Sequence, residues 1–281
     1  LIQKTQTEFR GRTKDEIMLK FMQFDTYQNY YLHYNEKNDL TKMIDSSSIS
    51  DQNPGKSKSN LILRIISGSV LGAMSFFCLI KGDFYFSIFV LIVSAISYLE
   101  WFSIATSKLY EKDQDDHKAH INLWGVLGLV AILPSAISIL YMRYIIGLNS
   151  VLYMMSVIIL TDVGAFFFGK AIGGPKLAPS ISPGKTISGS VCGIGVSVCG
   201  AIVLQISGYV QVDYKDLVLM TVVLSIASQI GDLMESKFKR HFGVKDSGKL
   251  IPGHGGFLDR TDSFLITAPV FMIFVLLGFF K

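Results

Sequence analysis

"SIFVLIVSAISYL", residues 87–99, and "VFMIFVLLGFF", residues 270–280, decide the fold class, because each is continuously apolar with no alternation of polar and apolar positions. A membrane β-barrel strand would show a period of two, so these runs argue for helices, which satisfy their own backbone hydrogen bonds in lipid. At about 1.5 Å of rise per residue, ~20 residues cross a hydrocarbon core ~30 Å thick. Seven runs of suitable length lie near residues 61–80, 84–107, 121–142, 145–168, 187–208, 216–234 and 264–280. The expected fold is all-α: a polytopic integral membrane helical bundle of about seven transmembrane helices, with a polar N-terminal extension.

Composition agrees. Half of the residues are hydrophobic, 17% are charged and the mean hydropathy is positive, which sets the chain apart from ordinary soluble domains. The cysteines Cys78, Cys192 and Cys199 fall inside apolar runs without metal-site or disulfide spacing, so they read as small buried residues. The first residue is Leu1, which reads as a fragment or a processed product, and no secretory signal peptide is legible.

Residues 1–60 are polar and form a separate N-terminal extension ahead of the membrane domain at 61–281. "DSSSISDQNPGKSKSN", residues 45–60, reads as a linker. Upstream, "TKDEIMLKFMQF" places Ile17, Phe21 and Phe24 at roughly helical spacing, but the extension as a whole reads as poorly ordered. Lysines and arginines concentrate after the second, fourth and sixth spans: Lys108, Lys112 and Lys118; Lys170, Lys176 and Lys185; then the group from Lys237 to Arg260. The other connections carry Lys81, Arg143 and Lys215. This alternation places the tail and the basic loops in the cytoplasm. Two small-residue stretches, "GSVLG" at 68–72 and "GSVCGIGVSVCG" at 189–200, predict close helix packing, within one chain or across a homodimer.

The chemistry gathers around residues 232–262. Asp162, Asp232 and Glu235 follow apolar runs, where an ionised carboxylate costs about 2.5–3.5 kcal/mol at a helix centre and so requires a partner. Glu100, beside Trp101, reads instead as a helix-end acid reaching interfacial water. Asp232, Glu235 and Lys239 share one helical face. Asp259 and Asp262 repeat the three-residue spacing after "HGG", with Arg260 between them. Carboxylates without a histidine cluster suit a hard cation, Mg²⁺ before Zn²⁺, and Mg²⁺ in turn suggests phosphate.

Lys237, Lys239, Arg240, Lys245 and Lys249 stand among Gly243, Gly248, Gly253, Gly255 and Gly256, where backbone N–H groups and cations can meet a polyphosphate. His254 reads as a hydrogen-bonding or phosphate-contacting group rather than a metal ligand. "SPGKT", residues 182–186, is not a phosphate loop, because the position five before Gly184 is Pro179. Ser182, Lys185 and Thr186 therefore read equally as an anion site at a helix start or as a turn and cap.

Ser236, Lys239, Arg240, Lys245, Asp246, Gly248, Ile251, Pro252, His254, Gly255, Gly256, Asp259, Arg260 and Asp262 match, in order and spacing, the signature of the phosphatidate cytidylyltransferases, the CDP-diacylglycerol synthases. "GDLMESKFKR", "TDVGAFFFGK" and "KLAPSISPGKT" are similar to further segments of that family, and the resemblance runs from about residue 61 to the C-terminus. It implies a membrane enzyme that joins CTP and phosphatidic acid into CDP-diacylglycerol and pyrophosphate with a divalent metal.

On that resemblance, Asp232 and Asp259 are expected as metal ligands, with Asp262 and Glu235 as further ligands or supports and Asp162 completing the acidic site. Lys239, Arg240, Lys245 and Arg260 would hold phosphates, and Ser182 and Lys185 would bind an anionic substrate from the other loop. Asp246, His254, Gly255 and Gly256 would line the substrate site. The implied partners are CTP, phosphatidic acid and the bilayer, with no nucleic acid; the expected location, which the resemblance does not fix, is a bacterial inner membrane, with an organelle membrane as the alternative. Two rivals stand: the same chemistry on a different lipid phosphate, and an ion transporter, which would spread its acids through several spans.

Overall fold

The computed structural model describes residues 54–106, 114–248, 250–251 and 255–280. The chain divides into two units, residues 1–61 and 62–281, and the second carries the architecture. The amphipathic stretch at 13–24 and most of the linker lie outside the described residues.

Among the described residues, seven helices follow the seven apolar runs. They are α1 (Pro54–Lys81), α2 (Asp83–Thr106), α3 (Gln114–Tyr141), α4 (Leu148–Ile172), α5 (Ile187–Ile206), α6 (Tyr214–His241) and α7 (Leu258–Leu276). Five of them, from α2 to α6, are long and apolar enough to cross a membrane, and large apolar side chains such as Phe166, Phe167, Val191 and Val203 face outward. This is a multi-pass membrane protein. α1 begins at Pro54, inside the stretch read as linker, where a proline in the first turn gives up no helical hydrogen bond.

The turns have local causes. Gly82, at φ +66°, ends α1, its N–H bonding the Cys78 carbonyl at 2.9 Å. A π-helical turn at Met142–Ile146 closes on Gly147, and the Ser150 hydroxyl donates to the Met142 carbonyl at 3.0 Å. Between α4 and α5 lies a two-stranded antiparallel hairpin, β1 (Lys176–Ala178) and β2 (Ser182–Thr186), absent from the all-helical expectation.

The 189–200 glycines are used within the chain. A Cβ on Gly189 would stand 2.5 Å from the Ala165 carbonyl oxygen and one on Gly193 2.6 Å from that of Thr161, so α5 lies directly against the α4 backbone. "GSVLG" behaves differently, since a Cβ on Gly72 would have no neighbour within 4 Å. The cysteines are free, and none is buried: Cys78 and Cys192 are half-buried and Cys199 is exposed. In an apolar solvent an exposed thiol carries little cost, so an apolar run does not force its cysteine inward.

Two cores hold the bundle. One packs Tyr153, Phe271, Leu217 and Met220, with the Tyr153 hydroxyl 2.7 Å from Thr221 Oγ1. The other lies beneath the basic end of α6, where Trp101 stacks on Phe238 with ring centres 3.7 Å apart. That stack fixes the end of α6 against α2.

Candidate active site

The hairpin aims one lysine. β2 pairs Lys176 with Thr186 and Ala178 with Ser182, then runs directly into α5. Thr186 caps that helix by accepting the Gly189 N–H at 3.1 Å, and the Ser188 hydroxyl donates to the Gly173 carbonyl. With the strand end pinned on both sides, Lys185 Nζ reaches Asp232 Oδ2 on α6 at 2.5 Å. The Ser236 hydroxyl donates to the other oxygen of Asp232 at 3.3 Å. Thr186 thus acts as the cap in "SPGKT", while Lys185 is paired with a carboxylate of α6.

Further acids face this pair. Asp162 on α4 interacts electrostatically with both Asp232 and Lys185. Asp262 lies ahead of the apolar part of α7, and its carboxyl is pushed up to about 7 by burial and then by the charge of Asp232, partly offset by the Ser263 N–H. α6 continues past the expected end near 234 to His241, so Asp232 sits about 13 Å along the helix from its end at ~1.5 Å per residue. Asp232 and Asp262 are half-buried there, and Asp162 is exposed.

A second cluster holds the loop between α6 and α7. Asp259 Oδ1 accepts from Lys239 Nζ at 2.6 Å, the Ser247 N–H donates to both carboxylate oxygens at 3.2 and 3.1 Å, and the Gly256 N–H donates to Oδ2 at 3.0 Å. Burial alone would raise Asp259, but Lys239 and the two amides prevail and hold it below the usual carboxylate range. Lys239 Nζ also lies 2.7 Å from Glu235 Oε2, in ion-pair contact. One ammonium therefore serves both acids.

Glu100 anchors the same loop from α2. It is 6% exposed, and it accepts from the Ser247 hydroxyl at 3.0 Å and from the Phe257 and Leu258 N–H groups at 3.1 and 2.9 Å. Expected as an acid reaching interfacial water, it is instead enclosed by backbone donors at the start of α7. Gly248 and Gly256 are its counterparts: a Cβ on Gly248 would stand 2.5 Å from a Glu100 oxygen, and one on Gly256 would press on the other. These glycines are small because a protein carboxylate fills the space beside them.

A profile of the cytidylyltransferase family matches residues 112–277, a span that contains every residue of both clusters except Glu100. The chain belongs to the cytidylyltransferase family. A phosphatidate cytidylyltransferase of Staphylococcus haemolyticus (strain JCSC1435) is 48% identical over 130 residues, covering 46% of this chain and 50% of the relative. Those of Bacillus subtilis (strain 168) and Staphylococcus aureus (strain COL) are 48% identical over 130 residues and 47% over 133, each covering 46% of this chain and 48% and 50% of the relative. The chain spans about half the length of the curated relatives it matches.

Within this cytidylyltransferase-family chain the expected site residues separate. Asp162, Lys185, Asp232 and Asp262 share one neighbourhood, while Glu235, Lys239 and Asp259 close on one another. Arg240, Lys245 and Asp246 are exposed on the loop side, with Arg240 Nη1 3.5 Å from the Val244 carbonyl. Ser182 is half-buried in the hairpin, Gly255 adopts φ +86° beside Asp259, and Arg260 is exposed on the opposite side of α7 from Asp259. His254 lies outside the described residues. From sequence Glu100 reads as an acid facing water and Ser247 carries no signal; the available clue was an acid, Glu100, within an otherwise apolar run.

Among the described residues, no three His, Cys, Asp or Glu side chains approach closely enough to hold an ion by themselves. The donor chemistry of the first cluster nevertheless suits Mg²⁺, since Asp162, Asp232 and Asp262 offer hard oxygens against the ammonium of Lys185. Mg²⁺ commonly takes one or two carboxylates and completes its shell with water and substrate phosphate. Asp259 and Glu235 already share Lys239 as their cation.

Proposed function

We propose that this chain transfers the cytidylyl group of CTP to phosphatidic acid, forming CDP-diacylglycerol and releasing pyrophosphate. The observation that carries the reading is the meeting of Lys185 with Asp232 beside Asp162 and Asp262, inside the region that matches the family. Relatives named phosphatidate cytidylyltransferase support the choice of substrates.

A monoester oxygen of the lipid phosphate attacks the α-phosphorus of CTP, and the bond from that phosphorus to the bridging oxygen breaks, sending its electron pair onto pyrophosphate. No strong base is required, because the monoester is largely ionised near neutral pH. The work left to the protein is to bring two polyanions together and to stabilise charge on the leaving group. Lys185 contacts phosphate from the hairpin, and Arg240 and Lys245 draw the nucleotide to the loop side. Lys239, held between Glu235 and Asp259, keeps its ammonium at a fixed place beneath the loop. Asp232 and Asp262 would hold Mg²⁺, which when bound neutralises phosphate oxygens. The basic loops and the site they carry face the cytoplasm of a bacterial cell, in keeping with the lysine and arginine distribution and the bacterial relatives.

The test is incorporation of labelled CMP into lipid by the purified full chain, with CTP set against other nucleoside triphosphates and with Mg²⁺ present or chelated. Product that requires CTP, phosphatidic acid and Mg²⁺ supports the reading. Ion flux in liposomes without lipid product would overturn it.

A further inference from the structure

Two polar contacts cross from the hairpin and the start of α5 to α6. One is the Lys185–Asp232 pair, whose side chains are each 28% exposed. The other lies about one turn deeper in the bundle: the Ser190 hydroxyl donates to Gln229 Oε1, and Gln229 Nε2 donates back to the Ser190 carbonyl in a longer contact of 3.4 Å. One amide thus grips both the side chain and the backbone of a residue in the first turn of α5, five positions after Lys185. Gln229 is 9% exposed and stands three residues before Asp232, about 4.5 Å along α6 at ~1.5 Å per residue, so the two share a helix face.

The transfer makes different demands on these contacts. When Lys185 turns to phosphate and Asp232 to Mg²⁺, each gives up the other, and their pair no longer holds the hairpin to α6. Other attachments at this point run to α4, where the Ser188 hydroxyl meets the Gly173 carbonyl and Gly189 lies against the Ala165 backbone. α4 is tied to α6 in turn by Thr161 Oγ1 and Ser225 Oγ, 2.7 Å apart and fully buried. Gln229 closes the triangle by joining α5 to α6 directly. Hydrogen bonds of this kind fasten helices in lipid, where no expulsion of water drives them together. Glutamine fits the place because its amide both accepts and donates. Glutamate would only accept, and would add a second charge beside Asp232; methionine keeps the length and does neither.

We propose that Gln229 is a positioning residue for the transfer: by gripping Ser190 it keeps the start of α5, and with it Lys185, in place against α6 while the Lys185–Asp232 contact is open. This rests on the reading of Lys185 and Asp232 as the groups that meet phosphate and metal.

The experiment compares Gln229→Met and the milder Ser190→Ala with the wild-type full chain in nanodiscs. Gln229→Met should lower kcat for CDP-diacylglycerol about tenfold, a loss typical of displacement by less than about 1 Å, and leave KM for CTP and the Mg²⁺ midpoint within about twofold of wild type. Ser190→Ala should lower kcat by less, and adding it to Gln229→Met should cost nothing further, since both act through one contact. Tyr153→Phe, which loses the deeper bond to Thr221, should lower the unfolding temperature and leave kcat close to wild type, separating position from stability. Wild-type kcat in folded Gln229→Met overturns the proposal. A second readout needs no turnover. With Cys78, Cys192 and Cys199 replaced by alanine, Lys185→Cys and Asp232→Cys together remove the ion pair, and a short bifunctional thiol reagent reports the spacing left between α6 and the end of the hairpin. Bridging should be severalfold slower once Gln229→Met is added. Slower bridging supports the role of Gln229 even if the wild-type chain makes no CDP-diacylglycerol, in which case the failure belongs to the transfer reading. Equal bridging rates sink that role and leave the transfer reading intact.

Discussion

Lys185 and Asp232 meet at 2.5 Å across 47 residues of sequence, one from the end of a hairpin and the other from within a membrane helix. Each is 28% exposed, so the contact is open enough to be entered by substrate phosphates and yet sheltered enough to act strongly on them. Asp232→Asn should reduce formation of CDP-diacylglycerol by at least about 100-fold, and Lys185→Met by a similar factor, as expected for groups that act on developing charge. The two are distinguishable. Asp232→Asn should also weaken Mg²⁺ dependence, read as a rightward shift in the metal titration, whereas Lys185→Met should raise KM for an anionic substrate and leave the metal midpoint close to wild type.

Glu100 makes a different prediction, because its oxygens receive three donors from the loop and have no part in the proposed transfer. Glu100→Ala orphans the Ser247 hydroxyl and two backbone N–H groups, at roughly 1–3 kcal/mol for each buried group left unpaired. Thermal unfolding in detergent should show the loss, and limited proteolysis should cut between α6 and α7. Gly256→Ala should be damaging by itself, since its Cβ would crowd a Glu100 oxygen and the Ser247 hydroxyl. In Glu100→Ala the part of that crowding due to Glu100 is relieved, so the double variant should be less destabilised than the sum of the two, a coupling that a double-mutant cycle measures.

The same contrast shows what could be read without coordinates. Helices were legible because runs such as residues 87–99 have no polar period, and the Glu235–Lys239 pair followed from i,i+4 geometry on α6. The partition of the acids was not legible. Spacing puts Asp232, Glu235, Asp259 and Asp262 near one loop, but whether a lysine or a metal lies between any two depends on how α6 and α7 pack, and that depends on Gly231, whose missing side chain lets α7 backbone approach at Asp262 and Ser263. The burial of Glu100 was hidden for a related reason. Its donors lie 147 to 158 positions away in sequence, beyond the reach of any local pattern. Gly248, Gly255 and Gly256 resemble a phosphate cradle because a cradle for a protein carboxylate has the same composition.

Asp259 supplies the pH dependence. Lys239 and the Ser247 and Gly256 amides hold its carboxyl below the usual carboxylate range despite burial. A depressed acid contributes stability that is fully present above its unfolded value, about 4, and lost as pH falls through its lower folded value. Hydrogen exchange of the Ser247 and Gly256 amides should therefore be slow and steady from neutral pH down to about 4 after correction for intrinsic rates, and protection should fall below that. Asp259→Asn should remove the acid transition and weaken protection at every pH. Protection that stays constant into strong acid in the wild type would show that Asp259 does not hold the loop.

The α4–α5 seam tests whether helix packing sets the position of Lys185. Gly189 lies in the first turn of α5, three residues after the capping Thr186, and a methyl group there would be 2.5 Å from the Ala165 carbonyl and 3.0 Å from Gly169 Cα. Backbone cannot yield as a side-chain tip can, so Gly189→Ala must push α5 away from α4 at its first turn. Because β2 feeds directly into that turn, the displacement is passed to Lys185 and hence to its contact with Asp232. Gly195, in the same helix, would meet nothing within 4 Å and is the matched control. Gly195→Ala should keep activity and gain up to about 1 kcal/mol from helix propensity. Gly189→Ala should lower the unfolding temperature and, at temperatures where it remains folded, lower kcat more than it changes affinity for CTP. Equal behaviour of the two variants would mean that the hairpin holds Lys185 in place without help from the seam.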